Sequence, residues 1–133
     1  MSEENVETLR RVYSDWGRGN LRAGTTVFAP DVVCTWQVPE GRIMCRGPQE
    51  IRENMRGFLE QWSEWRMEAG EFLDLDAQNG VLVVCHTHAT GKESGVEMEV
   101  TAFHAWVLRN NRAVAWHSYF DRDEALEAAG LSE

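Results

Sequence analysis

The stretch "FHAWVLRNNRAVAWHSYFDRD", residues 103–123, decides how this chain folds. Apolar and polar residues alternate on both sides of Asn110-Asn111, which is the pattern of a β-hairpin with one covered face. On the first strand, 97–109, Met98, Val100, Ala102, His104, Trp106 and Leu108 share a side. On the second, 113–120, Val114, Trp116, Ser118 and Phe120 form the heavier apolar side. A two-residue turn at Asn110-Asn111 would put His104 beside His117 and mix the two faces. A three-residue loop, Arg109 to Asn111 with Asn111 left-handed as a bulge residue, pairs Leu108 with Arg112 instead. It keeps His104, Trp106, Val114, Trp116 and Ser118 together. The pattern favours this second register, with His117 turned outward.

Upstream, segments 65–76 and 81–91 also alternate, separated by Asn79-Gly80 and a Gly91–Gly95 loop, so the chain makes consecutive antiparallel strands. Within 81–91, Val83, Cys85, Thr87 and Ala89 face inward, and His86 and His88 face outward with Glu99. The sequence shows no third and fourth ligand to join them, so no metal site is expected. Before the strands the period is helical. Val6, Leu9, Val12, Tyr13 and Trp16 line one side of a helix ending near Gly17 to Gly19. Asn20 caps a shorter helix to Val27, residues 32–38 read as a strand and "GRIMCRGP" reads as loop. Pro48 then opens a helix over 48–62. Asp121 caps a last helix that Gly130 stops. These elements fit one α+β domain, residues 1–133.

Composition excludes several function classes. A net charge of −9, with no basic stripe, repels phosphate backbones and anionic lipid, so neither nucleic acid nor a membrane surface is an expected partner. No apolar run reaches membrane-spanning length, and "MSEENVETLRR" lacks the basic start and apolar centre of a signal peptide. The 3 cysteines, Cys34, Cys45 and Cys85, are odd in number and lack metal-type spacing, which fits free thiols in a cytoplasmic protein.

The order of elements, with "FAPDVV", "RGPQEI", "SGVEMEV" and "WHSYFDRDEALEAAGL", resembles the nuclear transport factor 2-like superfamily. Within it, the chain is similar to the SnoaL-like polyketide cyclase and ketosteroid isomerase-like group. The likeness covers nearly the whole chain. It implies a cone-shaped, curved mixed or antiparallel sheet wrapped around the N-terminal helices and enclosing a cavity. It also implies a homodimer, for which the outer face carrying Phe103, Ala105, Val107, Ala115 and Tyr119 is apolar enough. The superfamily holds isomerases, cyclases, epoxide hydrolases and binding modules, so the fold alone does not select an activity.

The expected cavity lining is Tyr13, Trp16, Trp36, Cys85, Thr87, His104, Trp106, Trp116, Ser118 and Phe120. Four indoles around a few polar atoms suit an apolar cyclic small molecule, although Trp16 and Trp106 read equally well as core. His104 is the one inward group that titrates near neutrality, which makes it the leading general acid/base candidate; its alternative is a core histidine bonded to Ser118 or backbone. Ser118 can orient that imidazole and Tyr13 can donate to an oxyanion. No inward carboxylate completes a triad, and Cys85 reads as a small core residue. Against limonene-epoxide-hydrolase-like members, Ser118 stands where the resemblance implies an acid. Against ketosteroid isomerase-like members, Trp36 stands at the position of the proton-shuttling Asp, Val12 at that of the oxyanion Tyr, and His104 at that of the oxyanion-binding acid. Cofactor-free isomerisation, cyclisation or hydration through His104 is therefore one expectation, and a non-catalytic binding module is the other.

Overall fold

The described residues of a computed structural model, 2–20, 27–38, 41–75 and 79–128, begin with the amphipathic helix α1, Ser2–Gly17. Its stripe of Leu9, Val12, Tyr13 and Trp16 is buried, and its end is fixed by Gly19 in the left-handed region, with Gly19 and Asn20 amides bonded back to Trp16 and Asp15 carbonyls. The short helix expected over 20–27 falls largely on residues 21–26, outside the described residues.

The strands follow as β1 Phe28–Val38, β2 Gly41–Arg46, β3 Trp62–Leu75, β4 Gly80–Gly91, β5 Glu97–Arg109 and β6 Arg112–Tyr119. They form one curved, unclosed sheet in the order β2-β1-β6-β5-β4-β3, antiparallel throughout except for the parallel pair β1 and β6. The curvature has local causes. Bulges interrupt the ladder in β3 near Ser63 and Gly70, between Val107 and Leu108 of the β5–β6 pair, and in β1 between Phe28 and Val33.

Two sequence expectations change here. The segment "GRIMCR" is strand β2, not loop, because Ile43 and Cys45 alternate inward against Arg42, Met44 and Arg46 and pair with Trp36 and Cys34 of β1. The helix α2 runs Gly47–Leu59 and stops short of residue 62. Trp62 opens β3 instead, where its ring packs at a tilt against Phe58 and Trp65. Pro48 does sit in the first turn of α2, and the Glu50 carboxylate accepts the Arg46 amide hydrogen at 2.8 Å.

The β5–β6 hairpin corrects the predicted register. Asn110 and Asn111 both take positive φ, 52° and 66°, so the turn is the two-residue type with Arg109 opposite Arg112. The faces are reconciled by the bulge, which makes Val107 pair with Ala115, Trp106 with Trp116 and His104 with Ser118. One consequence is that Ala113, read as outward, pairs with Leu108 in the core.

Two apolar clusters result. α1 and α2 pack on the inner face over Val81, Val83, Cys85, Trp106 and Trp116. The last helix, α3, Arg122–Ala128, packs on the outer face, where Ala125 meets Leu82 and Ala105. Asp121 caps it as expected, its carboxylate accepting the Asp123 amide hydrogen at 2.9 Å; Gly130 lies outside the described residues. α3 thus covers Ala105, part of the apolar outer face that had suggested a homodimer.

Candidate functional site

At the centre of the inner face, β5 and β6 present Trp106 and Trp116 side by side, their rings stacked at 5.2 Å. α1 lowers Trp16 and Tyr13 onto them, at 5.3 Å from Trp116 and 6.1 Å from Trp106 respectively. Phe28 of β1 stacks on both indoles, at 6.2 and 6.0 Å. Trp106 is fully buried, so this residue is core whatever else it does.

Inside that layer runs a hydrogen-bond chain. The Trp106 Nε1–H donates to the Tyr13 hydroxyl oxygen at 2.8 Å, and Tyr13 Oη lies 2.5 Å from His104 Nδ1. An indole can only donate, so the Tyr13 oxygen is the acceptor there and its own proton points at the imidazole. His104 Nδ1 is then the acceptor, and the ring's proton sits on Nε2. Burial holds the ring in this neutral form: His104 is 3% exposed and its pKa falls from 6.5 to about 3. Burial likewise pushes the Tyr13 hydroxyl well above its ordinary range, so it stays protonated; the Cys85 thiol adds to the rise and the Trp106 bond opposes it.

The group that orients the imidazole is therefore Tyr13, three turns along α1. Ser118 faces His104 across the strands and is half-buried, but its side chain makes no hydrogen bond to His104 among the described residues. His104 Nε2 has no acceptor among the described residues either. Beside it, ring centres 5.6 Å apart, Trp116 is 5% exposed and its buried Nε1–H lacks an acceptor among the described residues. The Trp116 N–H is thus buried without an oxygen to accept it, a cost of about 1–3 kcal/mol for a group left unpaired, and the His104 ring beside it has its own Nε2–H without a protein acceptor among the described residues.

The other predicted residues are placed as follows. Thr87 and Cys85 are buried neighbours on β4, Oγ1 and Sγ 3.9 Å apart, and burial raises the Cys85 thiol to about 12, so it is a thiol and not a nucleophile. Trp36 is half-buried against the edge of the inner core. Phe120 follows the end of β6 at 54% exposure and has no ring contact with the cluster.

The remaining histidines are on the outer face, as the strand count predicts. His88 lies between Glu68 and Glu99 at 3.3 and 3.4 Å, His86 contacts Thr101, and no metal-holding group occurs among the described residues. His117 repeats the inner motif: Arg42 donates to Thr35 Oγ1 at 2.6 Å, and Thr35 stands 2.8 Å from His117 Nδ1. Burial first, then the Arg42 charge, lowers its pKa.

Sequence reasoning missed Phe28, because β1 was read as starting after Pro30, and it missed a pocket of about 390 Å³ between α1 and β3. That pocket reaches Tyr13 and is edged by Arg10, Gly17, Arg18, Glu68 and Phe72. Arg10 stands one helical turn before Tyr13, which is the signal that would have found it.

A curved six-strand sheet with helices on its inner face and a buried aromatic layer defines an α+β fold of the nuclear transport factor 2-like class. The chain belongs to the SnoaL-like domain family, whose model matches residues 9–116. No curated protein matches it. Solved structures agree on the fold. A nuclear transport factor 2-like protein of unknown function from Burkholderia pseudomallei shares 24% identity at TM-score 0.77, over 93% of this chain and 95% of that one. A protein described as a SnoaL-like polyketide cyclase from Jannaschia shares 13% identity at TM-score 0.76, over 99% and 94%. TerC, crystallised with polyporic acid, shares 17% identity at TM-score 0.75, over 96% and 98%. No helix among the described residues is long and apolar enough to cross a membrane.

Proposed function

We propose that this SnoaL-like protein binds an apolar cyclic small molecule and catalyses cofactor-free proton-transfer chemistry on it, with His104 as the acting group. The observation that carries the reading is the chain Trp106 to Tyr13 to His104, which leaves the His104 Nε2–H without an acceptor in an apolar setting. A neutral imidazole fixed in one tautomer is a hydrogen-bond donor to negative charge that develops on a substrate oxygen, and low dielectric strengthens that bond. With a pKa near 3, His104 acts as that donor, not as an imidazolium acid. Trp116 is a second donor beside it. Polarising a carbonyl in this way assists isomerisation and cyclisation alike, with the proton that leaves the substrate carbon passing to water, since no buried carboxylate among the described residues is there to take it. A cytoplasmic homodimer belongs to the same reading, formed through the part of the outer face that α3 leaves open.

One observation favours a second reading, a non-catalytic binding module. No carboxylate is buried among the described residues, so nothing beside His104 can accept a proton in the inner core. The test is turnover on a panel of enones, epoxides and polyketide mimics. Turnover lost in His104→Ala with ligand binding intact supports the catalytic reading. Tight binding without turnover, unchanged in His104→Ala, supports the binding module.

A further inference from the structure

The pocket between α1 and β3 has a charge arrangement that selects a ligand class. Its rim carries three charged side chains, and two of them are already matched. Arg18 Nη2 is 2.8 Å from the Asp15 carboxylate. Glu68 is shared between His88 at 3.3 Å and Arg66 at 3.8 Å. Arg10 has no ion pair among the described residues. Its guanidinium lies 4.8 Å from the centre of the Phe72 ring, at the same rim. Stacking on an aromatic face holds the fork in place and leaves its N–H groups free to donate outward.

We infer that this pocket binds planar aromatic molecules carrying an acidic oxygen ionised at neutral pH, with Arg10 taking the anion and the space toward Tyr13 taking the ring. The inference rests on the small-molecule reading above and narrows it. The chain's net charge of −9 repels anions at long range, so affinity for one must come from a local cation. A planar carboxylate or enolate matches the guanidinium fork with two parallel hydrogen bonds. The apolar wall fits the rest: Phe72 supplies a ring, and Gly17 keeps α1 close to β3, where an added Cβ would meet Glu68 Cγ at 3.3 Å.

The test compares two ligands of one shape, 2-naphthoate and the uncharged 2-naphthamide, by isothermal titration calorimetry on the full chain at neutral pH. Naphthoate is expected to bind at least tenfold more tightly than naphthamide, in line with about a tenfold or larger gain from a charge-assisted pair. Arg10→Gln abolishes that preference and leaves naphthamide unchanged, Arg10→Lys restores part of it, and Arg52→Gln, on the exposed side of α2, has no effect. Arg10 is exposed, so its replacement does not threaten the fold. Equal binding of both ligands, insensitive to Arg10→Gln, overturns the anion inference and leaves the small-molecule reading standing. Binding of neither overturns both.

Discussion

Replacing Tyr13 with Phe tests the buried chain most directly, because it removes one oxygen and almost no volume. That oxygen serves two partners at once: it accepts from Trp106 Nε1 at 2.8 Å and faces His104 Nδ1 at 2.5 Å. Both partners are closed to solvent, Trp106 fully and His104 to within 3%. Each buried polar group left unpaired costs about 1–3 kcal/mol, so Tyr13→Phe is expected to lose about 2–5 kcal/mol of stability. In urea, monitored by tryptophan fluorescence, the midpoint should fall at nearly constant slope. A ring substitution of unchanged shape that merely repacked would cost far less. The second readout is the tautomer. In the native protein the 15N shifts of His104 should show Nδ1 without a proton and Nε2 with one, and in Tyr13→Phe this preference should weaken. A stability loss under about 0.5 kcal/mol, with the tautomer unchanged, refutes the chain as drawn.

Three further outcomes follow from the same structure. Since the folded pKa of His104, about 3, lies below the 6.5 of an exposed histidine, the unfolded chain binds the extra proton between those values; stability is flat above pH 6.5 and falls on acidification by about 1.4 kcal/mol per unit. Urea titrations at pH 6.5 and 4.5 should therefore differ by about 2 kcal/mol from this group, half of the unfolded imidazole being protonated already at pH 6.5. His117, also lowered, adds in the same direction, and the slope should flatten partly in His104→Gln and further with His117→Gln. Asn110→Val should destabilise by about 1–2 kcal/mol while Asn110→Gly is near neutral, because a β-branched residue resists the φ of 52° that the turn requires; equal thermal midpoints for the two variants would contradict the two-residue turn. Light scattering at micromolar concentration should give twice the 15.2 kDa chain mass, and a monomer would remove the homodimer.

The elements with a strong period were legible. Alternation placed His104, Trp106, Trp116 and Ser118 on one face of the β5–β6 hairpin, and helical spacing put Tyr13 and Trp16 over them. The turn was misread because face continuity does not reveal where a bulge sits. A two-residue turn followed by a bulge at Val107/Leu108 keeps the same faces as a three-residue loop, and the two differ in their pairing: the loop would set Trp106 opposite Val114 and His104 opposite Trp116, where the structure sets them opposite Trp116 and Ser118. β2 was missed because a six-residue strand with one buried cysteine and two glycine flanks has no period long enough to read. α3 on the outer face was invisible, since a seven-residue helix does not announce which surface it will cover.

The site shows the same limit at the level of single bonds. Sequence spacing named Tyr13, His104 and Ser118 as polar groups near one another and gave the orienting role to Ser118, the nearer partner along the sheet. The helix decides otherwise. α1 crosses the strands so that a residue 91 positions away reaches Nδ1, while Ser118, directly opposite His104 in the ladder, offers its carbonyl to Arg42 at 2.9 Å. Cross-strand neighbours share a face but point their side chains in parallel, so a helix laid over the sheet is better placed to meet a strand side chain end to end. A related contact recurs for a histidine on the opposite face of the same sheet. Each has its Nδ1 next to a hydroxyl whose oxygen already accepts an N–H, from Trp106 inside and from Arg42 outside. Sealed from solvent, the Tyr13 hydroxyl gives its one proton to His104 Nδ1, whereas the part-buried Thr35 hydroxyl can either donate to His117 Nδ1 or accept from it. Only the inner one has a second orphaned donor, Trp116, at its side. The difference between the two faces is therefore not the histidine but its setting: His117 is half-buried near the Arg42 charge, and His104 is buried in an aromatic layer beside the unpaired Trp116 N–H.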